Sequence, residues 1–147
     1  MPVVGIAAIF LFWRKHRYEA VALVVGAALT RLFTGVLKDH FDRPRPSNPL
    51  TETGGSSFPS GHASNAMVYI AVAVAFTSVL PRFAHRSTLI VIGLLIAAAV
   101  GLTRIYLRAH YLSDVLAGWG LAAGIYAGCA TVLLIVARIR HNQRADG

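Results

Sequence analysis

The chain has one cysteine, Cys129, set in an apolar run, so neither an intrachain disulfide nor a cysteine-built metal site can brace it. Acids are also few: six Asp and Glu against 14 Lys and Arg, a net charge of +8. No carboxylate cluster stands ready for Mg²⁺, so the reading expects no metal and no cofactor. Charged residues are 14% of the 147, against about 25% in a soluble domain. The alternation of a half-buried strand and the 3.6-residue period of a water-facing helix are both missing. There are no internal repeats and no low-complexity linkers. The start MPVVGIAAIFLFWRKHR puts the apolar stretch before the bases, the reverse of a secretory signal peptide.

What remains is grease in long runs: 56% of residues are hydrophobic and mean hydropathy is +0.60. Pro2 to Trp13 would make a helix only about 18 Å long, too short for a hydrocarbon core of about 30 Å. It reads as a half-embedded first helix or a late start at Met1. Four longer runs follow, Tyr18–Leu37, Ala63–Leu80, Ser87–Leu107 and Val115–Ala137, each about 18 to 23 residues and long enough to cross. The expected fold is all-α: one domain over residues 1–147, a polytopic transmembrane bundle of about five helices, the first short. A soluble core of this size could not bury helices that are apolar all round. The positive charge, which in a soluble chain would raise nucleic acid as a partner, clusters here at helix ends.

Those clusters set an orientation. Arg14, Lys15 and Arg17, then Arg82 and Arg86, then Arg138, Arg140 and Arg144 fall on one side by crossing parity. The positive-inside rule makes that side cytoplasmic. The loop from Asp39 to Ser60, rich in proline (Pro44, Pro46, Pro49, Pro59), and the connection LTRIYLRAHYLSD then share the extracytoplasmic side.

Three distant stretches thereby meet at one membrane surface. Lys38 and Arg45 leave the first long helix, Ser60, Gly61 and His62 enter the second, and Arg104 and His110 return after two crossings. Cations gathered in low dielectric repel one another, and an anionic ligand would offset that cost. Ser60 is a favoured helix N-cap, and Gly61 lets backbone N–H groups approach a ligand closely. A helix N-terminus binds anions. His110 and Asp114, four residues apart, would share a helix face, so the carboxylate could hold one imidazole nitrogen and leave the other as nucleophile. His62 could protonate a leaving oxygen. The constellation points to phosphoryl transfer.

At these residues the sequence resembles the type 2 phosphatidic acid phosphatase superfamily. Lys38 with Arg45-Pro46 in KDHFDRPRP, PSGH at 59 to 62, and Arg104, His110 and Asp114 in TRIYLRAHYLSD match its three signatures in order and spacing. The resemblance implies phosphate binding by Lys38, Arg45, Ser60, Gly61 and Arg104. It implies His62 as general acid, His110 as the residue that becomes phosphohistidine, and Asp114 as its orienter. Thr103 stands where the family usually has Ser. The family's membrane members usually have six helices, so an initial helix is expected to be missing. Arg43 lies between Lys38 and Arg45 without the family spacing, and Arg108 and His40 match no motif; the last two read as interfacial.

The expected activity is hydrolysis of a lipid phosphate monoester or diphosphate, with a polyprenyl diphosphate such as undecaprenyl diphosphate first. Phosphatidate and phosphatidylglycerol phosphate come next. The rivals are a lipid phosphotransferase and a non-catalytic membrane scaffold. The expected setting is a bacterial plasma membrane with membrane lipids as neighbours. The small residues of AGWGLAAGIYAG read as close helix packing, with a homo-oligomer as the alternative.

Overall fold

The computed structural model describes residues 2–145; Met1 and the Arg144 side chain, both invoked above, lie outside that description. Among the described residues there are five helices and no strand: α1 (Pro2–Trp13), α2 (Arg17–Phe41), α3 (Gly61–Phe76), α4 (Phe83–Tyr106) and α5 (Leu112–Ala145). Three of them, α2, α4 and α5, are long and apolar enough to cross a membrane. α3, with 16 residues, stops at Phe76, short of the Leu80 expected from hydropathy. There Thr77 and Ser78 turn their hydroxyls onto the Val74 and Ala75 carbonyls, so the chain leaves the helix while still apolar.

The outside of the bundle confirms its solvent. Leu32, Phe33, Val36, Leu94, Leu95, Leu134 and Ile135 are all exposed. Apolar belts of that extent are stable against lipid and not against water. The interior is built of small residues. Val4, Ala7 and Leu11 of α1 pack on Ala20 and Leu23 of α2 and Val68 of α3, and Phe10 stacks on Phe76 with ring centres 5.3 Å apart. The short first helix is therefore part of the core. α4 leans on α3, and a Cβ at Gly93 would sit 3.0 Å from the Tyr69 carbonyl oxygen. α5 packs on α2 and α3. Of its small-residue run, Gly118 and Ala122 face inward, while Gly120, Gly124 and Gly128 look outward with nothing near them among the described residues.

Each helix end at the site has a local cause. Asp42 takes a left-handed conformation and returns its N–H to the Lys38 carbonyl, ending α2. Ser60 caps α3. Asp114 lies in the first turn of α5, and Arg104 in the last turn of α4. Both charges complement the helix dipoles. The C-termini of α2 and α4 and the N-termini of α3 and α5 then meet, joined by Ser60 N–H to the Asp114 carbonyl (2.9 Å) and Leu50 N–H to the Leu107 carbonyl (3.0 Å).

Candidate active site

The loop 42–60 folds back on itself and forms the roof of this end. Ser57 donates its N–H to the Arg43 carbonyl at 2.8 Å and its hydroxyl to the Pro44 carbonyl at 3.0 Å. Ser56 Oγ accepts from the N–H groups of Arg43 and Phe58. Prolines lack an N–H and are confined in φ, so the strap needs few partners to hold its path. Ser57 and Ser60 are fully buried.

Backbone carbonyls hold two of the three expected phosphate cations in place. Lys38 Nζ donates to the Ser56 carbonyl at 2.6 Å. Arg45 donates Nε to Gly55, Nη2 to Gly54 and Nη1 to Ala109, at 3.1, 2.8 and 2.8 Å. The third, Arg104, is different: its Nε is buried without a hydrogen-bond partner among the described residues. A buried guanidinium N–H normally has an acceptor, and an anionic oxygen is the acceptor that suits it.

The start of α3 supplies more donors. Ser60 Oγ accepts from Ala63 N–H at 3.4 Å, and the Ser60 carbonyl accepts from Ser64 N–H at 2.9 Å. The N–H groups of Gly61 and His62 are left, the two orphans of a first turn. A Cβ on Gly61 would lie 3.8 Å from Lys38 Cε, an ordinary contact, so the protein's own packing does not require glycine there. The His62 side chain is exposed, and the charges of Arg104, Arg45 and Lys38 all act on it.

His110 is buried, and its state follows from its neighbours. Nδ1 lies 2.8 Å from the Ser57 carbonyl oxygen. A carbonyl only accepts, so Nδ1 carries the proton. Nε2 lies 3.4 Å from Arg45 Nη1, and a guanidinium only donates, so Nε2 offers its lone pair. This is the tautomer a nitrogen nucleophile needs. Burial, and then the Arg45 charge, hold the imidazole pKa below its ordinary value. Lys38 acts in the same direction, and the Ser57 hydrogen bond and Asp114 act against it.

Asp114 is placed differently from the shared helix face expected of it. His110 precedes α5, which begins at Leu112, so the two residues do not share a helix face. Asp114 Oδ2 is 3.6 Å from Nδ1, beyond hydrogen-bond reach. The carboxylate, fully buried, accepts from Arg43 Nη1 at 2.7 Å through Oδ1 and from Tyr111 N–H at 2.9 Å through Oδ2. The second is one half of a capping box. The hydrogen-bond partner of Nδ1 is the Ser57 carbonyl, a backbone group with no signature in sequence. Arg43, passed over for its spacing, also reaches Ser113 Oγ at 2.7 Å and covers the Tyr111 ring at 4.5 Å.

The structure thus brings Lys38, Arg45, Ser60, Gly61, His62, Arg104, His110 and Asp114 to one end of the bundle. Among the described residues no group of three or more His, Cys, Asp or Glu side chains is placed to hold a metal.

Comparison with known proteins converges on the same stretch. Residues 19–140 match the family model described as the PAP2 superfamily. The chain is 33% identical over 124 residues to phosphatidylglycerophosphatase B of Bacillus subtilis, covering 82% of this chain and 61% of that protein. It is 26% identical over 129 residues to an undecaprenyl-diphosphatase of Sulfolobus acidocaldarius, covering 83% of this chain and 59% of that one. The chain therefore spans about three fifths of the length of these curated relatives. The crystal structure of a transmembrane PAP2-type phosphatidylglycerolphosphate phosphatase from Bacillus subtilis superposes with a TM-score of 0.81 at 30% identity, over 89% of this chain and 67% of that one. With the family model matched over most of its length and a relative of this identity, the chain belongs to the PAP2 superfamily.

Proposed function

We propose that this protein is a lipid phosphatase that works through a phosphohistidine at His110. The observation that carries the reading is the His110 imidazole, with Nδ1–H given to Ser57 and the Nε2 lone pair facing a guanidinium. Lys38, Arg45, Arg104 and the Gly61 and His62 N–H groups would bind the phosphoryl oxygens and spread the charge of the transition state. In the first step His110 Nε2 forms a bond to phosphorus, the bond from phosphorus to the leaving oxygen breaks (that of the lipid alcohol in a monoester, of the lipid monophosphate in a diphosphate), and protonated His62 gives its proton to that oxygen. In the second, water attacks phosphorus, the phosphorus–nitrogen bond breaks, and His62 takes the water's proton. Inorganic phosphate leaves and His110 is restored. The cations supply the charge stabilisation that a metal supplies in other phosphoryl-transfer sites.

The substrate class is a lipid phosphate monoester or diphosphate. The two relatives named above act, by name, on phosphatidylglycerophosphate and undecaprenyl diphosphate. Both head groups present the phosphate at a membrane surface, where this end of the bundle lies. The greater identity to the phosphatidylglycerophosphatase moves that lipid to first place, ahead of the diphosphate favoured by the sequence reading. The distribution of Arg and Lys supports an extracytoplasmic site in a bacterial plasma membrane.

The test is phosphate release by purified protein in detergent with EDTA present, wild type beside His110→Ala, on phosphatidylglycerophosphate and on undecaprenyl diphosphate. Release from either lipid that persists in EDTA and disappears in the variant is expected. Full activity of His110→Ala would sink the reading.

A further inference from the structure

We propose that Arg31 of α2 and Asn65 of α3 hold the inner phosphodiester of a lipid whose two phosphates are separated by a glycerol, while its terminal phosphate lies at His110. The choice of ligand rests on the lipid phosphatase reading above. Arg31 belongs to none of the three motifs. It lies inside the membrane-spanning length of α2, seven residues before Lys38. Its side chain is exposed, and among the described residues it joins no ion pair. An arginine inside a span is costly without a partner and marks a functional site. Asn65 is a second exposed polar side chain, on the apolar helix α3.

Helical register puts the two on one groove. α1 lies between α2 and α3: its Leu11 clusters with Ala20 and Val68, and its Phe10 stacks on Phe76. Arg31 is eleven residues along α2 from Ala20, and Asn65 eleven residues back along α3 from Phe76. Eleven residues make about three turns, so each comes back to within about 20° of a residue that meets α1, roughly 16 Å nearer the site. The opposite face of the α2 and α3 pair is closed by α5, with Tyr126 against Gly26 and Gly118 against Ser60. Gly35, one turn above Arg31, has nothing within 4 Å of its Cβ position among the described residues, so the way up to the site is open. At the top, Lys38 meets Gly61, and the exposed His62 stands three residues from Asn65.

The spacing selects the ligand. Arg31 lies about 10 Å below Lys38 along α2, and a long cationic side chain extends toward the wetter end of such a groove. In phosphatidylglycerophosphate a glycerol separates the terminal monoester from the phosphodiester. With the monoester at His110, the diester descends into the groove. A guanidinium offers two parallel N–H donors to its two free oxygens, and the Asn65 amide adds another donor. A diphosphate joins its phosphorus atoms through one oxygen, so both stay beside Lys38. Phosphatidate carries no second phosphate. Arg31 and Asn65 therefore favour the glycerol-spaced lipid over the other two.

The experiment compares wild type, Arg31→Gln, Arg31→Lys and Asn65→Leu in detergent micelles, with kcat/KM measured on phosphatidylglycerophosphate and on phosphatidate. Binding of the same two lipids is measured with each change placed in a His110→Ala background, without turnover. Arg31→Gln should lower the ratio of the two kcat/KM values roughly 10-fold, the worth of one hydrogen bond to a charged group, and mainly through KM. Asn65→Leu should lower it less, about 3-fold. Arg31→Lys, which keeps the charge but lacks the planar fork, should lie between wild type and Arg31→Gln. Relative binding should fall in the same order. Should Arg31→Gln fail to fold, Arg31→Lys and Asn65→Leu carry the comparison. An unchanged ratio in folded Arg31→Gln would overturn the proposal, and with a changed oligomeric state it would give the groove to a helix of a second copy. Equal losses on both lipids, the mark of a disturbed helix, would overturn it too. Wild type that releases no phosphate from either lipid, while Arg31→Gln still weakens binding of phosphatidylglycerophosphate selectively, would defeat the phosphatase reading and leave the Arg31 site standing.

Discussion

Gly118 is the residue on which the site's geometry depends without any chemistry of its own. It sits one turn below Asp114 on α5, where that helix meets the start of α3. A Cβ there would be 2.7 Å from the Ser60 carbonyl oxygen and 3.0 Å from Ser64 Oγ. Ordinary contact begins near 3.4 Å, so Gly118→Ala asks the Ser60 peptide to retreat by about 0.7 Å. It has little freedom to do so. Its carbonyl holds both the N–H and the hydroxyl of Ser64, and its N–H is bonded to Asp114 on α5 itself. The displacement therefore moves the first turn of α3, with Gly61 and His62, relative to His110. Overpacking of this kind costs about 1–3 kcal/mol, a drop of roughly 2–4 °C in Tm for each kcal/mol at this chain length. A misplacement of about 1 Å in a reacting geometry costs about 100-fold in rate, so a loss of roughly 10- to 100-fold in kcat is expected here. Phosphate release and thermal unfolding are measured on one detergent preparation of wild type and Gly118→Ala. Wild-type kcat together with wild-type Tm would show that α5 and α3 do not meet as closely as described, and would refute the reasoning.

Three further outcomes follow from the same geometry. Gly61→Ala, whose Cβ meets only ordinary contacts, should keep the wild-type Tm and lose activity mainly through KM, because the methyl group occupies space beside the N–H donors; a fall in Tm with unchanged KM would contradict it. The acid side of the kcat/KM profile should lie below the ordinary histidine value of about 6.5, because the nucleophile must be neutral and its site disfavours the proton. Arg45→Gln removes one of the causes and should move that side to higher pH, and an unshifted profile would count against His110 as the titrating group. His62→Ala should lose about 100- to 10,000-fold in kcat on a lipid substrate but far less on an aryl phosphate, whose leaving group needs no proton; equal losses on both would remove His62 as general acid.

The motifs and hydropathy carried much of this arrangement. Long apolar runs mark helices because lipid demands them, and the Pro-Ser-Gly-His turn marks a helix start because Ser caps and Gly opens. The spacing across two crossings brings Arg104 and His110 back to Lys38 by parity alone. The partners that decide proton positions were less visible. Ser57 acts through its carbonyl, which every residue has, so no side-chain pattern reveals it. Asp114 is four residues from His110, but α5 begins only at Leu112, and that breaks the helical register between them. Arg43 and Arg45 sit two apart in the strap yet reach different partners, Arg43 the start of α5 and Arg45 the carbonyls of Gly54, Gly55 and Ala109, and spacing distinguished only the one that matches a motif. Gly118 looked like one member of a small-residue run, and only its register against Ser60 separates it from the outward-facing Gly120, Gly124 and Gly128.

The most direct measurement is to mix the protein with a lipid substrate carrying radioactive phosphorus, quench within one turnover in alkali, and look for label on the polypeptide. The account predicts a phosphoramidate that survives alkali, is lost in mild acid, maps to the peptide containing His110 and is absent from His110→Ala. Phosphate release at the wild-type rate by His110→Ala would contradict it, as would label on any other residue in the wild type.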